Sequence, residues 1–497
     1  MQPLRINHFF LLLIFLLVAT SVIAQNQPRN VIFILSDDHR YDYMSFMENQ
    51  APWLETPNLD RLAEGGAHLK NAFVTTSLCS PSRASILTGL YTHTHTVVDN
   101  NAPEPEGLTY FPAYLQDAGY QTAFVGKWHM GNKGDHPRPG FDHWISFKGQ
   151  GDYYNPRLNI NGEQKKYSDS TYISTLLTDL AIDWLDEQQL KDAPFFLYLS
   201  HKAVHGDFSP AQDDHYKYHG KPIGKPVTYY LTHPDSVGHR PDVNYEAIPR
   251  WVKEQRYSWH GVDYAYHGRY SMDTIVWRYT EALHGLDEQI GRVMDYLEDN
   301  GLAESTMIIY MGDNGFCFGE HGLIDKRHMY EASQRVPMLA YCPEVIEPGT
   351  VVNQMVQNID VGPTVLDLAN VETPEHMHGR SMLPLLQGET PTDWRNRVFY
   401  EYYWEYDFPQ TPTMHGVRTD RYKYIRYHGL WDVNEFYDLQ EDPNEMHNLI
   451  TSPEHQETIE ALANEIYDWL ESSEGMQIPL KRTVKYPYGD YRNPKAY

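Results

Sequence analysis

The stretch NVIFILSDD at 30–38 carries an unbroken apolar run, Val31 to Leu35, and then two carboxylates. Successive side chains of a strand point to opposite faces, so such a run needs cover on both sides. TAFVG at 122–126, FFLYLS at 195–200, TMIIYMGDNG at 306–315 and VPMLAY at 336–341 repeat the feature. Between these runs lie helical patterns: TPNLDRLAEGG at 56–66, with its glycine stop, and segments at 109–118, 170–189, 272–299 and 361–370. Apolar strands alternating with amphipathic helices predict an α/β fold, a large and mostly parallel sheet sandwiched by helices. After HGRSMLPLLQGETPTDWRN the texture changes to tyrosine-rich strands, RVFYEYYWEY, GVRTDRYKYIRY and EFYDLQ, followed by a helix at 455–472. Residues 25–387 are therefore read as the large α/β domain and 388–497 as a smaller C-terminal α+β domain. The segment 206–270 is rich in His, Tyr, Pro and Asp without periodicity, and reads as a long surface excursion near the functional site.

The N-terminal MQPLRINHFFLLLIFLLVATSVIAQ combines Arg5, an apolar run and the small residues Val22 and Ala24, which predicts an export signal over 1–24. The run is short for a bilayer span and no later stretch replaces it, so a periplasmic or secreted protein without membrane insertion is expected. With 40 basic and 67 acidic residues the formal net charge is −27, which argues against a nucleic-acid partner. An anionic substrate then requires a local basic pocket. Three cysteines, Cys79, Cys317 and Cys342, make no disulfide framework, although a Cys317–Cys342 pair stays open.

Ligand sites of open α/β sheets form beyond the carboxyl ends of the strands, where Asp37 and Asp38 end one run and Asp313 and Asn314 another. If the two strands are neighbours, four hard oxygen donors converge, which suits Ca²⁺ or Mg²⁺ better than zinc or copper. Either pair alone reads as a turn or helix cap; two pairs favour a metal. In TTSLCSPSRASILTG at 75–89, Ser80 and Pro81 suit the start of a helix that runs to Gly89. Cys79 then sits at an N-terminus whose dipole would acidify a thiol, with Arg83 one turn on; the alternative is a small buried residue. GKWHMG at 126–131 adds Lys127 and His129, SHKAVHG at 200–206 adds His201 and His205, and GEHGLIDK at 319–326 adds Lys326.

Taken together, these residues resemble the formylglycine-dependent sulfatases of the alkaline-phosphatase superfamily. Cys79, Pro81, Ser82, Arg83, Thr88 and Gly89 form the signature, and SDD, GKWHMG, GDNG and GEHGLIDK follow the family's order over nearly all of the chain. The resemblance implies that a maturase oxidises Cys79 to formylglycine, whose hydrate attacks the sulfur of a sulfate ester with help from Arg83. It implies Asp37, Asp38, Asp313 and Asn314 as ligands of Ca²⁺, with Mg²⁺ second and the modified Cys79 beside them. Lys127 and Lys326 would neutralise the sulfate oxygens. His129 would act as base in regenerating the aldehyde, and His205 would protonate the leaving oxygen. The family often shows His-x-Pro-His where this chain has HKAVH, so His201 is held in reserve for His205. The implied substrate is a sulfated oligosaccharide or polysaccharide, an algal glycan such as ulvan first and a glycosaminoglycan or N-acetylglucosamine 6-sulfate second. His415 and Arg418 are candidate subsite residues. A phosphonate or phosphate ester hydrolase of the same superfamily, and an inactive glycan-binding protein, are the competing readings.

Overall fold

Both faces of the Val31–Leu35 run are covered. In β1 (Asn30–Ser36), Ile32 and Ile34 pack with Leu59, Leu62, Leu283 and Ile290 on one side, and Val31, Phe33 and Leu35 with Ile86, Leu115, Val365 and Leu366 on the other. The computed structural model describes residues 29–131, 134–233, 243–429 and 432–479, so the export signal expected at 1–24 lies outside the described residues. β2 (Ala67–Phe73), β3 (Gln121–Gly126), β4 (His143–Ser146), β5 (Arg157–Ile160), β6 (Glu163–Lys166), β7 (Phe195–Ser200) and β8 (Thr306–Gly312) belong to the same sheet as β1. β9 (Cys317–Phe318) and β10 (Ile324–Asp325) pair in a separate ribbon, and β11 (Met338–Tyr341) and β12 (Thr350–Gln357) complete the large sheet. Its strand order is β12-β2-β11-β8-β1-β7-β3-β4-β5-β6.

The centre, β8-β1-β7-β3-β4, is parallel, and antiparallel pairing enters at β11 and at the β5–β6 hairpin. β2, β12 and the outer hairpin fall outside the strands expected from apolar runs. AHLKNAF and TVVNQMVQ are only partly buried and β6 is exposed, so these strands need no continuous apolar pattern; β12 and β6 form the two edges and β2 lies just inside one of them. The helices Ile173–Gln188 and Met272–Asp299 cover one face, and Cys79–Thr88 and Val361–Leu368 the other.

Toward the C-terminus β13 (Arg397–Tyr402), β14 (Thr413–Thr419), β15 (Tyr422–His428) and β16 (Glu435–Asp438) form an antiparallel sheet in chain order. One face takes the helix Gln456–Ser472 through Val417, Phe436, Ile466 and Trp469. The other packs Tyr400, Tyr402, Met414 and Ile425 against Leu78, Met329 and Tyr330. The smaller sheet thus buttresses both the Cys79 turn and the Lys326 loop. Cys317 and Cys342 do not pair: Cys317 faces His328 at 3.7 Å and Cys342 the Glu304 carbonyl at 3.4 Å. No described helix is long and apolar enough to cross a membrane.

Candidate active site

β1 and β8 run parallel with Ser36 opposite Gly312, so their carboxyl ends deliver Asp37–Asp38 and Asp313–Asn314 to one point. The Asp38 backbone N–H donates to Asp313 Oδ1 at 3.0 Å, and Asn314 Nδ2 donates to Asp38 Oδ1 at 2.7 Å. These bonds hold Asp38 at φ 58, a backbone conformation that a non-glycine residue adopts at some cost. Oxygens of Asp37, Asp38 and Asp313 all lie within 4.8 Å of one another. Asp38 Oδ2 and Asn314 Oδ1 are buried without a hydrogen-bond partner, an arrangement that a bound cation would satisfy. All donors are oxygen, the set for a hard divalent ion.

Cys79 is the first residue of the helix Cys79–Thr88, which ends where Gly89 turns at φ 67. Its Sγ lies 3.5 Å from Asp37 Oδ1 and 3.3 Å from Lys326 Nζ. Burial and the Asp37 charge push the thiol up, against the pull of Lys326 and Lys127. Burial and Asp37 thus work against the acidification that a helix N-terminus favours. Arg83, one turn on, donates Nε to Asp313 Oδ2 at 2.9 Å and Nη1 to the Lys127 carbonyl and Ser200 Oγ at 2.6 and 2.7 Å. Lys127 Nζ contacts Asp37 Oδ2 and also reaches Gln150 Oε1, and Lys326 Nζ contacts Asp38 Oδ1.

These charges set the protonation of the cluster. Burial raises the Asp37 carboxyl, but Lys127, His205, Arg83 and Lys326 together bring it well below the usual range. Asp38 is pushed up to about 7 by burial, opposed by Lys326 and reinforced by Asp37 and Asp313. Burial and Lys127 hold the imidazoles of His129 and His205 well below their ordinary value.

His129, His205 and Lys326 line a cavity of about 560 Å³ together with Gln150, His260 and Tyr266. A larger groove of about 680 Å³, lined by Arg250, Trp404 and Asp432, holds none of the residues singled out from the sequence. His205 Nε2 stands 3.9 Å from Asp38 Oδ2, and His129 Nδ1 3.5 Å from Ser80 Oγ. His201, by contrast, is fully buried just beyond the end of β7 and is absent from the cavity wall, so it is His205 and not His201 that faces the cavity. His415 and Arg418 also miss the cavity. β14 is an inner strand of the small sheet, so His415 turns into contact with Tyr403, His428 and Trp469, and Arg418 pairs with Glu331.

Several contributors carry no motif. His260 pairs with Asp325, and Arg327 bridges Asp325 and Glu405 at 2.6 and 2.8 Å, so Lys326 is held between two anchored neighbours, both at positive φ. Gln150 and His260 come from segments without periodicity; the signal available for His260 was its place in the 206–270 excursion.

A family profile described as Sulfatase matches residues 29–371, and one described as N-sulphoglucosamine sulphohydrolase, C-terminal, matches 319–472. The chain is 34% identical over 477 residues to the N-acetylglucosamine-6-O-sulfatase of Bacteroides thetaiotaomicron, covering 86% of this chain and 83% of that one. A solved structure of a protein in complex with its substrate D-glucosamine-2-N,6-O-disulfate superposes with a TM-score of 0.77 at 29% identity, over 92% of this chain and 100% of the other. A phosphonate monoester hydrolase from Silicibacter pomeroyi shares the fold, with a TM-score of 0.74 at 21% identity over 90% of this chain and 96% of the other. With this site at the head of the parallel strands and the family profile spanning most of the chain, the protein belongs to the sulfatase family and is a sulfatase.

Proposed function

We propose that the protein removes the 6-sulfate from a glucosamine-type sugar of a sulfated glycan, using formylglycine at position 79 and a divalent cation, Ca²⁺ before Mg²⁺, held by Asp37, Asp38, Asp313 and Asn314. The observation that carries the reading is the seat of Cys79, buried between Asp37 and Lys326 at the carboxylate cluster. Its Sγ stands in for the oxygen nucleophile of the matured side chain. Hydrated formylglycine would supply one hydroxyl to attack sulfur, with the sugar oxygen leaving as the alcohol. Deprotonation of the second hydroxyl would break the bond to the sulfated oxygen, freeing sulfate and restoring the aldehyde; the cation would polarise the sulfate. Lys127 and Lys326 neutralise sulfate oxygens from opposite sides, and Arg83 fixes Asp313 and the Lys127 backbone. His205, on the cavity wall, would donate a proton to the leaving sugar oxygen once the negative charge of a bound sulfate offsets Lys127 and lets its imidazole protonate. His129, held neutral, would accept one from the second hydroxyl.

The names of the relatives support an amino-sugar 6-sulfate over the algal glycan that the sequence put first. Export to the periplasm or the outside, and maturation by a partner enzyme, complete the proposal. The test is inorganic sulfate release by protein produced with a formylglycine-generating maturase, offered N-acetylglucosamine 6-sulfate, ulvan oligosaccharides and a matched phosphate monoester. Release is expected from the amino sugar and to fall by about 10³-fold or more in Cys79→Ala. Turnover of the phosphate ester alone would assign the chain to phosphorus chemistry, and full activity in Cys79→Ala would remove the nucleophile.

A further inference from the structure

Beside the catalytic cavity lies a recess of about 220 Å³. Gln150, His205 and His267 line both spaces, so the two are continuous at the histidine proposed to protonate the leaving group. The recess adds Lys202, Asp207 and Arg269 to that shared wall. Arg269 is already matched, by Asp207 at 2.6 Å.

Lys202 is not. It is 2% exposed, yet its ammonium makes no hydrogen bond or ion pair among the described residues; its one close contact is the Tyr153 ring, 4.5 Å away. A cation–π contact offsets only part of the desolvation of an ammonium, and a buried lysine without an acceptor is rare. Burial and the Lys127 charge push Lys202 down to about 8, with Asp37, Asp207 and Asp152 pulling the other way, so it still carries most of its charge at neutral pH. Lys127 and Lys326 contact Asp37 and Asp38 at the cluster proposed for the scissile sulfate, whereas Lys202 pairs with neither carboxylate and lines the neighbouring recess. Its position beside His205 puts it on the side of the leaving sugar.

We infer that Lys202 forms an anion subsite for a second charged substituent, a sulfo or carboxylate group, carried by the same sugar residue or its neighbour. The inference rests on the amino-sugar reading for the identity of the sugar, while the subsite itself is read by binding. The probes are D-glucosamine-2-N,6-O-disulfate and N-acetylglucosamine 6-sulfate, titrated calorimetrically into full-length Cys79→Ala protein, which does not consume them. The disulfated sugar is expected to bind at least tenfold more tightly. Adding Lys202→Met, which keeps the aliphatic stem, erases that advantage, and Lys202→Arg restores part of it. Equal affinity of the two sugars for the Lys202 protein, no binding of either, or an undiminished preference in Lys202→Met overturns the subsite. Sulfate release by the matured Cys79 protein from the same two sugars decides the reaction separately, so preferential binding without release would remove the amino-sugar reading and leave the subsite standing.

Discussion

Non-glycine residues in the left-handed region persist where their surroundings over-determine them, and Asp38, His129, Asp325 and Arg327 all lie there. Each belongs to or flanks the proposed machinery, although residues away from it, such as Thr96, Asn161 and Asn370, share the conformation. Position separates the two histidines of HKAVH. His205→Ala is expected to slow sulfate release from a sugar by about 10²–10⁴-fold, the range for losing a general acid. The loss should be far smaller with an aryl sulfate, whose leaving group needs no proton. His201→Phe, filling a buried space behind the sheet, should change thermal stability and leave that leaving-group dependence alone; an aryl-sulfate penalty equal to the sugar penalty in His205→Ala would rule out proton donation. At this scale the sequence is legible where a strand ends, since direction and depth then follow from the sheet: Asp37, Asp38, Asp313 and Asn314 converge as the strand ends predict. It is not legible four residues later, because the spacing of His201 and His205 does not say which ring faces the cavity.

Among the elements, β1 and β8 carry the heaviest electrostatic load, three buried carboxylates at adjoining ends. A cation bound there joins the two strands, and at a hundredfold excess over its Kd it contributes about 2.7 kcal/mol to stability. Stripping divalent ions with a chelator is expected to lower the unfolding midpoint and abolish sulfate release, with Ca²⁺ restoring both. Asp313→Asn should blunt that response, and an unchanged bound-metal content in this variant would move the metal elsewhere. β14 shows the opposite use of burial. His415 is held down at about 3 by burial, against the pull of Glu401, so the folded protein keeps it neutral while the unfolded chain protonates it below about 6.5. Its contribution is complete above that pH and is lost as pH falls toward the folded value. Relative to the wild type, His415→Phe should therefore gain about 1.5 kcal/mol of unfolding free energy between pH 6.5 and 5, read by urea titration at each pH. A pH-independent difference would show that His415 is charged in the folded state. The apolar runs make the central strands legible, whereas β2, β12 and β6 are hidden because their partial burial or exposure leaves no apolar run in their own pattern.

Across the whole molecule, the change of texture near 388 separates two sheets, and the contacts across it lead us to expect one folding unit rather than two. Tyr400 and Tyr402 pack against the segment that carries Leu78, and Ser77 donates its N–H to the Tyr400 hydroxyl at 3.3 Å. Glu401 donates its N–H to the Thr75 carbonyl at 2.9 Å and receives Thr76 Oγ1 on its own carbonyl at 2.6 Å. Buried charge crosses the same boundary: Lys423 reaches Glu331 at 2.9 Å, and Arg327 reaches Glu405 at 2.8 Å. Removing one partner of a buried pair costs about 3–5 kcal/mol, and several would be broken together. For two such pairs the loss is about 6–10 kcal/mol, comparable to the whole stability of an ordinary domain, about 5–15 kcal/mol. A chain ending at 387 is therefore expected to be insoluble or to melt without a cooperative transition, and to release no sulfate even after maturation. Producing 388–497 in the same cell should recover soluble complex, because the lost contacts lie on one continuous face. Cooperative unfolding of the 25–387 fragment alone would instead make the large domain self-sufficient and reduce the small sheet to an accessory. Sulfate release by that fragment would go further and show that the Cys79 turn and the Lys326 loop hold their geometry without the buttress.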